Sequence, residues 1–188
     1  FLPESKRSFP TPWNSLMKLL GLSSMFPSSK ILGGYNLTYL NENKTHDIDV
    51  LCGAFMLMRR SALDKSGLLD EEFFMYGEDI DLSYRIKQSG YRILYYPETQ
   101  IIHYKGESTK KGSLNYVYVF YNAMIIFARK HFSASHAKWF SFFIQLANLI
   151  DHNQPGIASI QRVIFIVNGC IPKSHNRVAH ILVDSAVA

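Results

Sequence analysis

The chain has 188 residues, 47% of them hydrophobic and 19% charged, enough apolar side chain to bury a real core and far from the composition of a disordered segment. Its formal net charge of +5 is uneven, with 14 Lys and Arg against 13 Asp and Glu in residues 1–112 and 6 against 2 in residues 113–188. A basic, apolar tail suits an anionic membrane surface, and with no RNP, zinc-finger or helix-turn-helix signature nucleic acid is not expected as a partner.

Residues 1–46 carry Pro3, Pro10, Pro12, Pro27 and a Gly33-Gly34 pair, which punctuate loops and short elements around one expected helix over Trp13 to Leu22. The chain opens on Phe1, not Met, and is expected to be a portion of something longer. Asn36 and Asn43 stand in Asn-x-Thr triplets that matter only in a secreted chain, and the N-terminus has no signal-peptide pattern. Asp47-Ile48-Asp49 places two acids on one face of an extended segment, a spelling able to share a cation. It leads directly into the next strand and is read as that lead-in, not as a metal site.

Val50 to Met58 is a near-continuous apolar run, as expected of a strand covered on both faces. Gly53-Ala54 interrupts it with the two smallest side chains, which marks a bulge or the close approach of another group. Cys52 in this run and Cys170 in the tail are too few for a disulfide framework or a zinc site, and they fit a reducing cytoplasm. Ser61-x-x-Asp64 spells a capping box for a short helix closed by Gly67.

Phe73-Phe74-Met75-Tyr76-Gly77 then leads into Glu78, Asp79 and Asp81 at the start of a helix that runs to Ser89. Ile80 pairs with Tyr84 and Leu82 with Ile86 at i, i+4. Acids in a first turn compensate the helix dipole. Set against an aromatic approach, they can also have their pKa raised into the range of a general base. Gly90 ends the helix, Tyr91 to Tyr96 is a strand that Pro97 stops, and Thr99 to Tyr104 is a second short strand carrying His103. From Ser113 an apolar face at helical spacing is followed by Arg129-Lys130-His131, and two further apolar helices are expected over 137–150 and 157–171. None holds about 18 uninterrupted apolar residues, so no membrane span is expected.

The blocks Gly53-Ala54-Phe55-Met56-Leu57-Met58-Arg59-Arg60 and Gly77-Glu78-Asp79-x-Asp81-Leu82, with a strand ending in His103, resemble the second half of a family 2 inverting glycosyltransferase of the rhamnosyltransferase-like branch. The likeness runs from about Phe9 to Ser108. It implies an α/β fold, the C-terminal half of a GT-A nucleotide-sugar transferase domain with a mixed sheet and flanking helices in residues 1–112, followed by an amphipathic α-helical tail in 113–188. By the same resemblance Asp79 is the catalytic base and Glu78 binds the acceptor or orients the site. Gly53, Ala54, Phe74 and Tyr76 line the substrate pocket, and His103 is a ligand of a divalent cation, Mn²⁺ or Mg²⁺, whose other ligands belong to an upstream half. The Lys105 to Gly112 loop is a candidate cover for a diphosphate.

The implied partners are a nucleotide-sugar donor, a glycan or lipid-linked acceptor and a peripheral membrane surface, at the cytoplasmic inner face of the cell membrane. The family's processive synthases carry Gln-x-x-Arg-Trp; no such string occurs here, so addition of a single sugar is expected. Two other readings stand beside this one: a non-catalytic membrane-associated module that keeps the fold, and a glycoside hydrolase, for which adjacent acids on one turn make a poor pair.

Overall fold

The computed structural model describes residues 5–19, 21–102, 114–133, 137–138, 141 and 177–185. Helices and strands are mixed along the chain: α1 (Pro12–Leu19), α2 (Leu22–Met25), β1 (His46–Asp47), β2 (Leu57–Met58), α3 (Arg60–Ser66), α4 (Glu78–Gln88), β3 (Tyr91–Ile102), α5 (Leu114–His131) and β4 (Arg177–Ser185). The strands form a sheet in the order β1-β3-β4-β2. The β1–β3 and β3–β4 pairs are antiparallel and β2–β4 is parallel.

Helix α4 is held between two apolar clusters because its sequence carries two i, i+4 pairs offset by two residues, roughly 200° around a helix. Leu82 and Ile86 enter a cluster with Leu37, Ile48, Leu51, Ala62, Ile93 and Tyr95. Ile80 enters the other with Val50, Phe73, Met124 and Phe127, and Tyr84 packs against that side. Val50 and Leu51 are neighbours on extended backbone, where successive side chains point opposite ways, and each fills a different cluster fully buried. Burial of each such side chain contributes about 1.5–3 kcal/mol, so both faces of α4 are fixed.

Four expectations change. The Val50 to Met58 run is not one strand: Val50 makes an isolated bridge with Arg7, residues 53–54 form a turn, and only Leu57–Met58 joins the sheet. The backbone leaves the sheet where the Gly53 amide turns to donate to Asp79. Pro97 does not end the strand after Tyr96, since β3 runs on to Ile102. Its register with β4 slips between Tyr96 and Gln100, and a residue without an N–H is tolerated at such an irregularity. Ser61 caps nothing: it lies inside α3, whose N-cap is Arg59, and Asp64 pairs with Arg60 at 2.9 Å.

The tail is the fourth. α5 is a helix, but Arg177–Ser185 is a strand, which departs from the expected helical tail. Val178, Ile181 and Val183 are β-branched residues that suit a strand, and long-range pairing with β3 decides it. The helices expected over 137–150 and 157–171 lie outside the described residues, apart from helical Ala137, Lys138 and Ser141. Among the described residues, no helix is long and apolar enough to cross a membrane.

Candidate active site

Gly77 aims the acids. It caps α4 in the left-handed region, φ 87° and ψ −11°, where L side chains are strained. A Cβ there would also stand 3.1 Å from the Phe73 ring and 3.3 Å from Ala123. This tight turn delivers Glu78, Asp79 and Asp81 into the first turn of the helix, where the free N–H groups favour negative charge.

Asp79 faces inward, its side chain 14% exposed and ion-paired to Arg7. Its Oδ2 accepts from Arg7 Nη2 and from the Gly53 amide at 3.3 Å, and its Oδ1 accepts from the Ile80 amide at 2.8 Å. Arg7 is held from the backbone up. It bridges Val50, its carbonyl accepts from the amides of Asp49 and Val50, and its guanidinium also donates to the Leu51 carbonyl at 2.7 Å. Burial works against the Arg7 charge, but Asp79, Tyr35 and Cys52 together outweigh it and the guanidinium is held charged.

Glu78 lies beside the same turn. Its Oε1 stands 3.8 Å from where a Gly53 Cβ would be, with Asp79 Cβ at 3.6 Å, so the missing side chain at 53 leaves room against both carboxylates. Among the described residues, the buried Oε2 of Glu78 has no hydrogen-bond partner. Burial, and then the adjacent Asp79 charge, push the Glu78 carboxyl up from its ordinary range, with Arg7 opposing. The two neighbouring acids are therefore unlike: Asp79 accepts from donors on both oxygens, whereas Glu78 keeps a buried Oε2 without a partner among the described residues.

Asp81, on the opposite side of α4, is closed to solvent, its side chain 1% exposed. It accepts from Arg85 Nε at 2.8 Å and from His131 Nε2 of α5 at 2.6 Å. Arg85 also donates to the carbonyls of Ser66 and Leu68, and the His131 ring lies against Tyr84 and Phe127. Burial pushes the Asp81 carboxyl up, and the bonds from His131 and Arg85 outweigh it and hold it down. This acid ties α3, α4 and α5 together.

The other expected site residues divide. Gly53 meets the acids directly; Ala54 is half-buried in the same turn. Of the aromatic approach, Phe73 turns into the core, Phe74 is 81% exposed, and Tyr76 packs half-buried on the α5 side. His103 and the loop 105–112 lie outside the described residues. Asp47 and Asp49 do share a cation, but it is an ammonium: Lys87 Nζ stands 3.4 Å from Asp47 and 2.7 Å from Asp49. Among the described residues, no three His, Cys, Asp or Glu converge on a possible metal position. Sequence reasoning missed Arg7, the second of two adjacent cations in a proline-punctuated stretch, whose role appears only when the Arg7–Val50 bridge forms.

Comparison with known proteins bears on the same residues. Residues 29–115, which include both acids and the Gly53 turn, match the family described as Glycosyltransferase like family 2. N-acetylglucosaminyl-diphospho-decaprenol L-rhamnosyltransferase of Mycobacterium tuberculosis is 35% identical over 77 residues, 41% of this chain and 25% of the relative. Rhamnosyltransferase WbbL of Escherichia coli K12 is 42% identical over 57 residues, 30% of this chain and 22% of the relative. The chain thus matches about a quarter of the length of these curated relatives. No solved structure gives a significant match. Over residues 29–115 the chain is similar to the family 2 glycosyltransferases, and part of it resembles rhamnosyltransferases.

Proposed function

We propose that the protein is an enzyme that transfers one sugar, with inversion, from a nucleotide-sugar donor to a glycan or lipid-linked acceptor in cell-surface polysaccharide synthesis. On this reading residues 1–112 are the acceptor-binding and catalytic half of a GT-A domain. The observation that carries it is the meeting of Glu78, Asp79 and the side-chain-free Gly53 at the start of α4, within the matched stretch. The relatives' names specify rhamnosyl transfer, in one case to an N-acetylglucosaminyl-diphospho-decaprenol; a rhamnosyl donor and a lipid-diphosphate acceptor follow here as the favoured pair.

Inverting transfer is a direct displacement and needs a base within hydrogen-bond reach of the acceptor hydroxyl. The Glu78–Asp79 pair supplies it. Gly53 and Ala54 let a sugar ring approach the carboxylates closely, while exposed Phe74, with Tyr76, offers aromatic surface to the acceptor. A divalent cation would stabilise the charge on the departing diphosphate. His103 is its ligand by resemblance alone; the described residues hold no cluster fit for a metal, so no step is drawn through it. The excess of cations in residues 113–188 supports peripheral attachment at the inner face of the membrane.

Because this reading makes the chain alone inactive without a nucleotide-binding half, the test is a transfer assay with nucleotide-activated rhamnose and an N-acetylglucosaminyl-diphospholipid, run on a parent protein that carries that half. Product is expected, and the double variant Glu78→Gln/Asp79→Asn should lose at least about a hundredfold in rate. A double variant as fast as the parent would remove the acid pair from the mechanism; a folded parent that transfers no sugar would leave the non-catalytic module.

A further inference from the structure

We propose that the N-terminal segment carries a docking surface for an anionic lipid bilayer, built from Trp13 and Leu16 of α1, Met25 and Phe26 at the end of α2, and Ile31, with Lys30 beside them. It deepens the transferase reading above, on which the acceptor is lipid-linked, and it is separate from the cationic tail of residues 113–188.

The fold leaves these side chains outside. Met25 is 69% exposed and Ile31 67%, and Trp13, Leu16 and Phe26 are exposed as well. Met17, the next residue along α1, is buried and anchors the helix, so the Trp13–Leu16 pair, neighbours at i, i+3, adds nothing to the core. The exposed residues share one platform. The Trp13 indole N–H donates to the Ile31 carbonyl at 3.2 Å. The turn from Phe26 to Gly33 is closed by the Ser29 amide on the Phe26 carbonyl at 3.0 Å and the Gly33 amide on the Ser29 carbonyl at 2.8 Å. A group of large apolar side chains left in water marks a surface that something covers.

Charge says what covers it. Residues 5–41 contain Lys6, Arg7, Lys18 and Lys30 and no Asp or Glu. Lys6 and Arg7 are turned inward, to the carbonyls of Leu37 and Leu40 and to Asp79. Exposed Lys30 stands next to Ile31, 6.0 Å from the Tyr39 ring centroid. An apolar face with aromatic residues, a cation at its edge and no acid in its segment has the composition that settles into the interface of an anionic bilayer. Leu68, Leu69 and Phe74, also exposed, make the contrast: Asp70, Glu71 and Glu72 run among them, and an anionic surface repels such a group.

The platform is tied to the candidate site. Asn14 of α1 donates to Ser8 Oγ at 3.0 Å, Ser8 Oγ donates to the Gly34 carbonyl at 2.9 Å, and the Ser8 amide donates to the Tyr35 carbonyl at 2.8 Å. The preceding residue, Arg7, pairs with Asp79. A bilayer seated on Trp13 and Ile31 therefore holds the acid turn at a set distance from the lipid surface, where the head of a lipid-linked acceptor lies.

The test is co-sedimentation with vesicles of a parent protein that carries the nucleotide-binding half. Binding to phosphatidylglycerol–phosphatidylcholine vesicles is expected, weaker as salt rises, with far less binding to phosphatidylcholine alone. Met25→Glu/Ile31→Glu should cut binding to the anionic vesicles at least about tenfold, while Leu68→Glu/Leu69→Glu leaves it unchanged. All four residues are exposed, so neither variant should disturb folding. Transfer to a lipid-linked acceptor held in those vesicles should fall in the first variant, and transfer to a short-chain, water-soluble acceptor should not.

The inference is overturned if the parent does not bind the anionic vesicles, if it binds neutral ones as tightly, or if Met25→Glu/Ile31→Glu binds as the parent does. Loss of a parent dimer in that variant with vesicle binding intact overturns it too, and assigns the patch to a second copy of the chain. Should the parent bind vesicles but transfer no sugar, the function reading fails by itself and the docking surface stands.

Discussion

Two faces of one helix turn carry the same residue type to different ends. Asp79 and Glu78 face the Gly53 turn, where a missing side chain leaves room and one carboxylate oxygen stays unsatisfied. Asp81, two residues on and roughly 200° around the helix, is sealed between Arg85 and His131 with both oxygens bonded. An acid becomes chemically available when its surroundings leave a lone pair free beside open space. It becomes a structural tie when donors from several elements meet it. Asp79 stands between the two: placed like a reactive group, yet bonded at both oxygens like a tie.

The comparison breaks most sharply at Asp81. Replacing it by Ala leaves Arg85 and His131 without their shared partner and should cost about 3–5 kcal/mol, read by chemical denaturation; a loss under about 1 kcal/mol would show that the tie is ornamental. The pH dependence of the same contact can be no larger. The Asp81 carboxyl is held below its ordinary range in the folded chain, so its stabilisation is fully present above the unfolded-state pKa of roughly 3.9 and is lost as pH falls through the lower folded value. The stability gap between the parent and Asp81→Asn should therefore be constant near neutrality and shrink below about pH 4. A gap that widened in acid would contradict the arrangement.

Gly77 sets the direction in which both faces point. Gly77→Ala should cost about 1–2 kcal/mol for the left-handed backbone alone, and more if the Phe73 ring cannot retreat from 3.1 Å; an unchanged melting temperature would mean the turn can re-form. The smallest effect on stability belongs to Phe74. Because it is 81% exposed, Phe74→Ala should leave stability within about 0.5 kcal/mol while raising KM for the acceptor. Equal KM values would place the acceptor elsewhere.

Much of this was legible in the chain itself. The i, i+4 pairs of α4, the acids after Gly77 and the closing Gly90 are local patterns, and they lie where the pattern predicts. Lost to local reading were the turn inside Val50–Met58, the passage of β3 through Pro97 and the strand at the C-terminal end of the described chain. Each depends on a distant partner: the Gly53 amide on Asp79, and β3 and β4 on each other.

The sequence by itself determined that an acidic helix start follows an aromatic turn, because propensity, capping and charge–dipole effects act within a few residues. Only the tertiary structure decided which acid is satisfied and which is not. That depends on Arg7, Gly53 and His131, brought to α4 from remote parts of the chain, and the basicity of a carboxyl is set by such neighbours and by burial, not by its place in a motif.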